Sequence, residues 1–325
     1  MKILEKDLVI ISKLGGRSEN QDAALAYKGK HGTLLIVCDG AGGYNGGSYA
    51  SKFVTNYLIN SFKNFDGKSD IKEYLITNIL SCNIELLEIS SSDSVLEGMK
   101  TTLCMAYIAG SKGISFHVGD SRVYQIRNER IIFKTKDHSY VQDLIKKKEI
   151  TEKQAKNHPK SNVINRALGA GSKLEIEISD LQIKKNDILF LSTDGIHGLI
   201  SDDHILKVFK SEKTLALIGE KLTDICDSEG IKNKQSKHDN LTALLYTMEF
   251  KKTNFYQIKK NQILLVLLLF IGFVIFIINK QFDNKSKDIA KQKVNVASDS
   301  IPKDTLNTAK VDSIDIDSLK FKKTN

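Results

Sequence analysis

Residues 33–38 read TLLIVC, an apolar run that ends on one acid, Asp39, and five glycines fill the next eight residues, GAGGYNGG. A short apolar run of this kind suits a buried strand. Glycine lets a chain leave such a strand through conformations closed to residues with a Cβ. A chain built this way must deliver a carboxylate to the edge of a sheet. The feature recurs: ILFLST ends on Asp194 before Gly195, and HVG ends on Asp120. Asp22 closes RSENQD, and Asp239 in HDNLT stands just before the run LTALLYT.

Eight strand-like segments are legible: DLVIISKL, GTLLIVCD, TTLCMAYIAG, GISFHVGD, SRVYQIRN, RIIFKT, DILFLSTD and LTALLYTMEF. AGSKGIS and RNERI between them are hairpin turn signals, so much of the sheet is expected to be antiparallel. SYASKFVTNYLINSFKN and DIKEYLITNILSCNIELLEISS carry apolar residues at helical spacing, as do YVQDLIKKKEI, SDDHILKVFK and EKTLALIGEKLTDICDS. Strands grouped in hairpins, with helices inserted as pairs, predict an α+β domain over residues 1–250 rather than a parallel βαβ array.

The net charge of +9 would suit a nucleic-acid binder if it lay on this domain. It does not, because residues 1–250 carry 34 Lys and Arg against 32 Asp and Glu. The excess flanks the segment Ile263–Ile278, ILLVLLLFIGFVIFII. Those sixteen apolar or glycine residues have no polar face, and Lys259, Lys260 and Lys280 bracket them. A helix of this length reaches about 24 Å, enough for a thin bilayer. Residues 262–279 are therefore expected to form a single transmembrane helix, after a basic linker (251–261) and before a polar, disordered tail (280–325). The four cysteines are scattered with no CxxC pair, and the N-terminus has no secretory h-region. Both lead to the expectation that the domain of residues 1–250 lies in the cytoplasm and the tail outside, and the near-neutral charge of that domain argues against a nucleic-acid partner.

The glycine loop does not fit a nucleotide cradle. A G-x-G-x-x-G count from Gly40 fails at Asn45, and a Walker count from Gly42 meets Ser48 where lysine is needed. An aspartate at one strand end followed by glycine is by itself a turn signal. Two of the five aspartates fit that signal, but five carboxylates at neighbouring strand ends would repel unless cations lie among them. Carboxylates, carbonyls and water suit Mg²⁺ or Mn²⁺, with no histidine or cysteine ligand required.

In this order RSENQD, VCDGAGG, GMKTTL, GDSRVY, the segment from DHSYVQDL to NRALG, LSTDGIHGLI and HDNLT resemble the metal-dependent serine/threonine protein phosphatases of type 2C, particularly their bacterial branch. The resemblance spans about residues 8–250. It implies a sandwich of two antiparallel sheets flanked by helix pairs, with two Mn²⁺ or Mg²⁺ ions at one end and a third, weaker one. It assigns Asp39 as the bridge between two ions, the Gly40 carbonyl to one of them, and Asp194 and Asp239 to the other. Asp22 orients the attacking water, Asp120 joins Asp194 at the third ion, and Arg17 binds phosphate. Residues 139–168 match a mobile flap, and His138 and His158, at positions associated with it, read as structural. The implied reaction is attack of a metal-activated water on phosphoserine or phosphothreonine, and the implied partners are phosphoproteins and a cognate kinase.

Ala41, Tyr44, Ser48 and Lys100 depart from that pattern. Ala41 removes one proposed general acid, and Tyr44 and Ser48 alter groups around the ions. Two other readings compete: a phosphoprotein-binding pseudophosphatase, and a membrane sensor read through the tail.

Overall fold

The computed structural model describes residues 1–43, 46–156, 158–232 and 238–248. The expected linker, transmembrane helix and tail lie outside them, as does Tyr44. Among the described residues no helix is long and apolar enough to cross a membrane.

Twelve strands and seven helices are present among the described residues. The first sheet holds β1 (Lys2–Leu4), β2 (Leu8–Lys13), β8 (Arg122–Arg127), β9 (Arg130–Lys134), β11 (Ile188–Ser192) and β12 (Leu241–Thr247). Their order is β1-β2-β12-β11-β8-β9. The second holds β3 (Asp22–Gly29), β4 (Gly32–Ala41), β6 (Leu103–Ala109), β7 (Lys112–Val118) and β10 (Glu177–Gln182), in the order β10-β7-β6-β4-β3. The short β5 (Lys100–Thr101) pairs with the end of β4. Every pairing is antiparallel, as the hairpin signals require. Between β8 and β9 the two loop residues, Asn128 and Glu129, both have positive φ, the geometry that matches the twist of a two-residue hairpin.

Helices α1 (Gly46–Lys63) and α2 (Ile71–Ser92) cover the second sheet, and α6 (Asp202–Ser211) and α7 (Leu215–Lys232) the first. Short helices α3 (Tyr140–Lys146) and α4 (Glu152–Lys156) lie in the flap, and α5 (Asp194–His197) follows β11. Side-chain alternation sorts the strands into three apolar layers. Leu35 and Val37 of β4 meet Leu8 and Ile10 of β2 between the sheets. Leu34, Ile36 and Cys38 turn the other way, onto Val54, Leu58 and Phe62 of α1 and Leu75, Ile79 and Leu86 of α2. Val9 and Ile11 pack with Ile218 and Leu222 of α7. Strands buried on both faces explain why the sequence shows continuous apolar runs rather than alternation.

Four strands and two helices were not foreseen. In β3, DAALAYKG is alanine-rich and weak in strand propensity. At the sheet edge β10 is EISDLQ, mostly exposed and polar. Too short for any periodicity are β1, β5, α4 and α5. The helix expected over 140–150 stops at Lys146, and Lys148 takes a positive φ.

Candidate active site

Asp39 lies near the end of β4, where the strand changes partner from β6 to β5. Its backbone N–H donates to Thr102 Oγ1 (2.9 Å), and its carbonyl accepts from Thr102 N and Thr101 Oγ1, both at 2.9 Å. Three main-chain bonds thus hold the residue without engaging its carboxylate. Gly40 follows in close contact with α1: a Cβ there would sit 1.9 Å from the Gly47 carbonyl oxygen, and one on Gly47 would sit 2.8 Å from Gly40. The glycines are needed because two backbones touch, not because a nucleotide lies over them.

Asp22 opens β3 and is the register partner of Asp39, so the two side chains leave the same face of the sheet. Its Oδ2 accepts from the buried Thr193 Oγ1 at 2.9 Å, which reaches across from the other sheet. Asp194 begins α5 directly after β11, and Asp239 precedes β12, the neighbour of β11. Asp120 sits in the turn that carries the chain from β7 in one sheet to β8 in the other. All five strand-end aspartates therefore gather at one end of the sandwich.

The electrostatics show what this costs. Burial, then the nearby charges of Asp22, Asp194, Asp120 and Asp239, push the Asp39 carboxyl well above the usual range. Burial and the charge of Asp194 do the same to Asp120. Asp22 is raised to about 7, chiefly by burial and despite hydrogen bonds from Thr242 and Thr193. Asp194 is raised to about 6 by burial and Asp239. One oxygen of Asp194 is buried with no hydrogen-bond partner. An orphaned carboxylate oxygen among mutually repelling carboxylates is a donor set suited to hard divalent cations.

Arg17 reaches the same end from the loop between β2 and β3. A Cβ on Gly15 would sit 2.1 Å from the Asp239 carbonyl oxygen, so the loop lies directly on the Asp239 backbone. Arg17 Nη2 donates to Asp239 Oδ2 (2.9 Å), and the guanidinium remains half exposed. It borders a hollow of about 140 Å³ with Ser18, Gln21, Gly43 and Asn240. A larger cleft of about 500 Å³ runs from Asp120 and Asp194 beneath the flap, past Val141, Ile145 and Ile200.

Sequence reasoning gave no roles to Thr102, Thr193 or Asn240. Asn240 Nδ2 donates to the carbonyls of Leu14 (2.8 Å) and Glu19 (3.0 Å), and its Oδ1 accepts from Gln21 N (2.8 Å). It thereby ties the Arg17 loop to β12. The signal was position alone: Thr193 and Asn240 adjoin Asp194 and Asp239 within the quoted motifs. His238, next to Asp239, is buried and bonds Asp227 (2.8 Å). Among the described residues, one His-containing group brings ligand atoms within 4.8 Å: His117, His138 and Glu177. It is separate from the aspartate cluster.

The arrangement has relatives. The protein phosphatase 2C family model matches residues 12–245. The serine/threonine phosphatase stp of Listeria monocytogenes is 32% identical over 233 residues, 70% of this chain and 90% of its own. Phosphatase PhpP of Streptococcus pneumoniae is 29% identical over 235 residues, 71% of this chain and 93% of its own. Among solved structures, the serine/threonine phosphatase Stp1 of Staphylococcus aureus superposes with a TM-score of 0.69 at 28% identity, covering 77% of this chain and 98% of its own. With a family model matching most of its length and the aspartates gathered at one end of the sandwich, this chain belongs to the protein phosphatase 2C family.

Proposed function

We propose that this protein is a metal-dependent serine/threonine protein phosphatase that removes phosphate from phosphoserine and phosphothreonine in proteins. The observation that carries this reading is the convergence of Asp22, Asp39, Asp120, Asp194 and Asp239, whose carboxyls stay raised although Arg17 at the rim and Arg122 beside Asp120 offset part of the charge. Asp39, the Gly40 carbonyl, Asp194 and Asp239 would hold two Mn²⁺ or Mg²⁺ ions, and Asp120 with Asp194 a third. Bound there, the ions supply an acidified water for in-line attack and positive charge for the phosphoryl oxygens.

The chain's own groups do the rest. Asp22, fixed by Thr193, accepts a hydrogen bond from the attacking water and aims it. Arg17 spends one N–H on Asp239 and keeps the others for phosphate oxygens at the open rim. No Ser or Cys nucleophile is needed: all four cysteines are buried, and burial raises each thiol above its usual range. Ala41 offers no proton to the leaving alkoxide, so that proton comes from solvent in the cleft.

The apolar span 262–279 would tether the domain to a membrane, with the domain cytoplasmic and a protein kinase as the opposing partner. The direct test is turnover of a phosphothreonine peptide by the purified full chain in detergent with Mn²⁺. Activity that EDTA abolishes and Asp39→Asn removes supports the reading; no turnover with Mn²⁺ or Mg²⁺ across pH 7–9 overturns it in favour of a phosphoprotein-binding role.

A further inference from the structure

His138 lies just before the flap, where its main chain and ring both make bonds. Its backbone N–H donates to the Gly119 carbonyl (2.7 Å), and its Nδ1 accepts the Gly119 N–H (3.2 Å). The residue next to Gly119 is Asp120. The His138 carbonyl accepts from Asn165 N (2.8 Å) in the returning strand of the flap, and its Nε2 lies 3.1 Å from Glu177 Oε2. Adjacent Asp137 takes a bidentate bond from Arg122 at 2.6 and 2.7 Å, so the other side of the Asp120 turn is pinned as well. Ser139 Oγ then caps α3, the first flap helix.

One ring therefore joins the flap base to the turn that presents Asp120. The bond from Gly119 requires an unprotonated Nδ1, which puts the proton on Nε2, where it donates to Glu177. That tautomer argues against reading His117, His138 and Glu177 as a transition-metal site. A metal on Nε2 would force a proton onto Nδ1, against the Gly119 N–H, and Arg166 Nη1 stands only 3.3 Å from Nε2. The fully buried His117 ring instead packs against His138, with centroids 4.6 Å apart, and walls it in place.

We propose that His138 is a positioning residue for phosphate hydrolysis: its Nδ1 locks the Gly119–Asp120 turn to the flap base and so aims the Asp120 carboxylate. This rests on the phosphatase reading above. It distinguishes two isosteric arms of the ring. Asparagine can place an oxygen near the Nδ1 position, whereas glutamine reproduces only the Nε2 end.

The experiment measures kcat and KM on a phosphothreonine peptide across a Mn²⁺ titration, using the full chain in detergent. His138→Gln is expected to lower kcat roughly tenfold or more, with KM within about twofold, and to need more Mn²⁺. His138→Asn should recover most of that loss. In an Asp120→Asn background, His138→Gln should cost less than about twofold further, because both changes act through one carboxylate. Equal loss in both His138 variants, or full additivity with Asp120→Asn, overturns the proposal. Should His138→Gln fail to fold, imidazole ¹⁵N shifts of the wild type decide: an Nε2–H tautomer supports the clamp, and an Nδ1–H tautomer overturns it. An inactive wild type overturns the phosphatase reading and this proposal together, whereas an active wild type with an unaffected His138→Gln overturns this proposal alone.

Discussion

Asp22 and Asp39 are cross-strand register partners whose side chains leave the same face of the sheet, beside Asp194 and Asp239. Proteins avoid like charges directly opposite each other on a sheet. Here burial and repulsion raise Asp22 to about 7 and Asp194 to about 6, and Asp39 rises as well. A carboxyl whose folded-state affinity for protons exceeds that of the unfolded chain adds stability at low pH, and that stability is lost as pH rises through the folded value. In EDTA, thermal stability should therefore fall as pH rises from about 4 through 7. Saturating Mn²⁺ should flatten the decline. Melting curves at pH 5 and pH 8, with and without Mn²⁺, check this. A metal-free protein that is equally stable at both would contradict the electrostatic account.

The same repulsion separates stability from activity at Asp39. Asp39→Asn keeps the side-chain shape and the main-chain bonds to Thr102 while removing one charge. Turnover should drop roughly a hundredfold or more. The metal-free melting temperature should rise by about 2–6 °C, given about 2–4 °C per kcal/mol for a domain of this size. An unchanged turnover number would dismiss Asp39 as the bridging ligand.

Much of this site could be read from the chain because three of the aspartates follow apolar strand segments, and a strand end in a sandwich has few places to go. Asp39, Asp194 and Asp120 stand out for that reason. Asp22 was harder to place, since its strand, DAALAYKG, owes its form to pairing with β4 rather than to its own propensity. Thr102, Thr193 and Asn240 carry no periodic signal, because they act through single hydroxyls and one amide that bond across the sandwich. The join of His138 to Gly119 was invisible for a similar reason: nineteen positions separate the two, and only the β8–β9 hairpin closes that gap.

Thr102 gives a test of one such hydroxyl. Its Oγ1 accepts the Asp39 N–H and lies 2.8 Å from Ser121 Oγ, beside Asp120, so it links the two metal-facing turns. Thr102→Val preserves shape but leaves the Asp39 N–H without its acceptor, a loss of about 1–3 kcal/mol. Thr102→Ser should restore most of it. Urea denaturation of the three proteins measures the difference; equal midpoints for Val and wild type would remove the link.

Arg17 predicts a binding effect rather than a chemical one. It sits at the exposed rim, with one N–H on Asp239 and the rest open to the small hollow. Arg17→Ala should raise KM for phosphopeptides roughly ten- to a hundredfold, the value of one or two charge-assisted bonds, and change kcat much less. Arg17→Lys keeps the charge but not the fork, and should fall between them. A KM equal to the wild type would transfer phosphate binding to other groups.

The membrane reading makes the last prediction. Residues 263–278 are sixteen apolar or glycine residues bracketed by Lys259, Lys260 and Lys280, about 24 Å as a helix. None of the site residues lies beyond Asn240, and β12, the last strand among the described residues, ends at Thr247. Removal of residues 262–325 therefore leaves every described residue and every site residue in place. The shortened protein should stay in the supernatant after high-speed centrifugation, with kcat within about twofold of the full chain in detergent. The full chain should pellet with membranes and resist carbonate and high-salt washes, because burial of sixteen apolar residues does not depend on ionic strength. Release of the full chain by salt alone would point to the lysines, and not the apolar span, as the attachment.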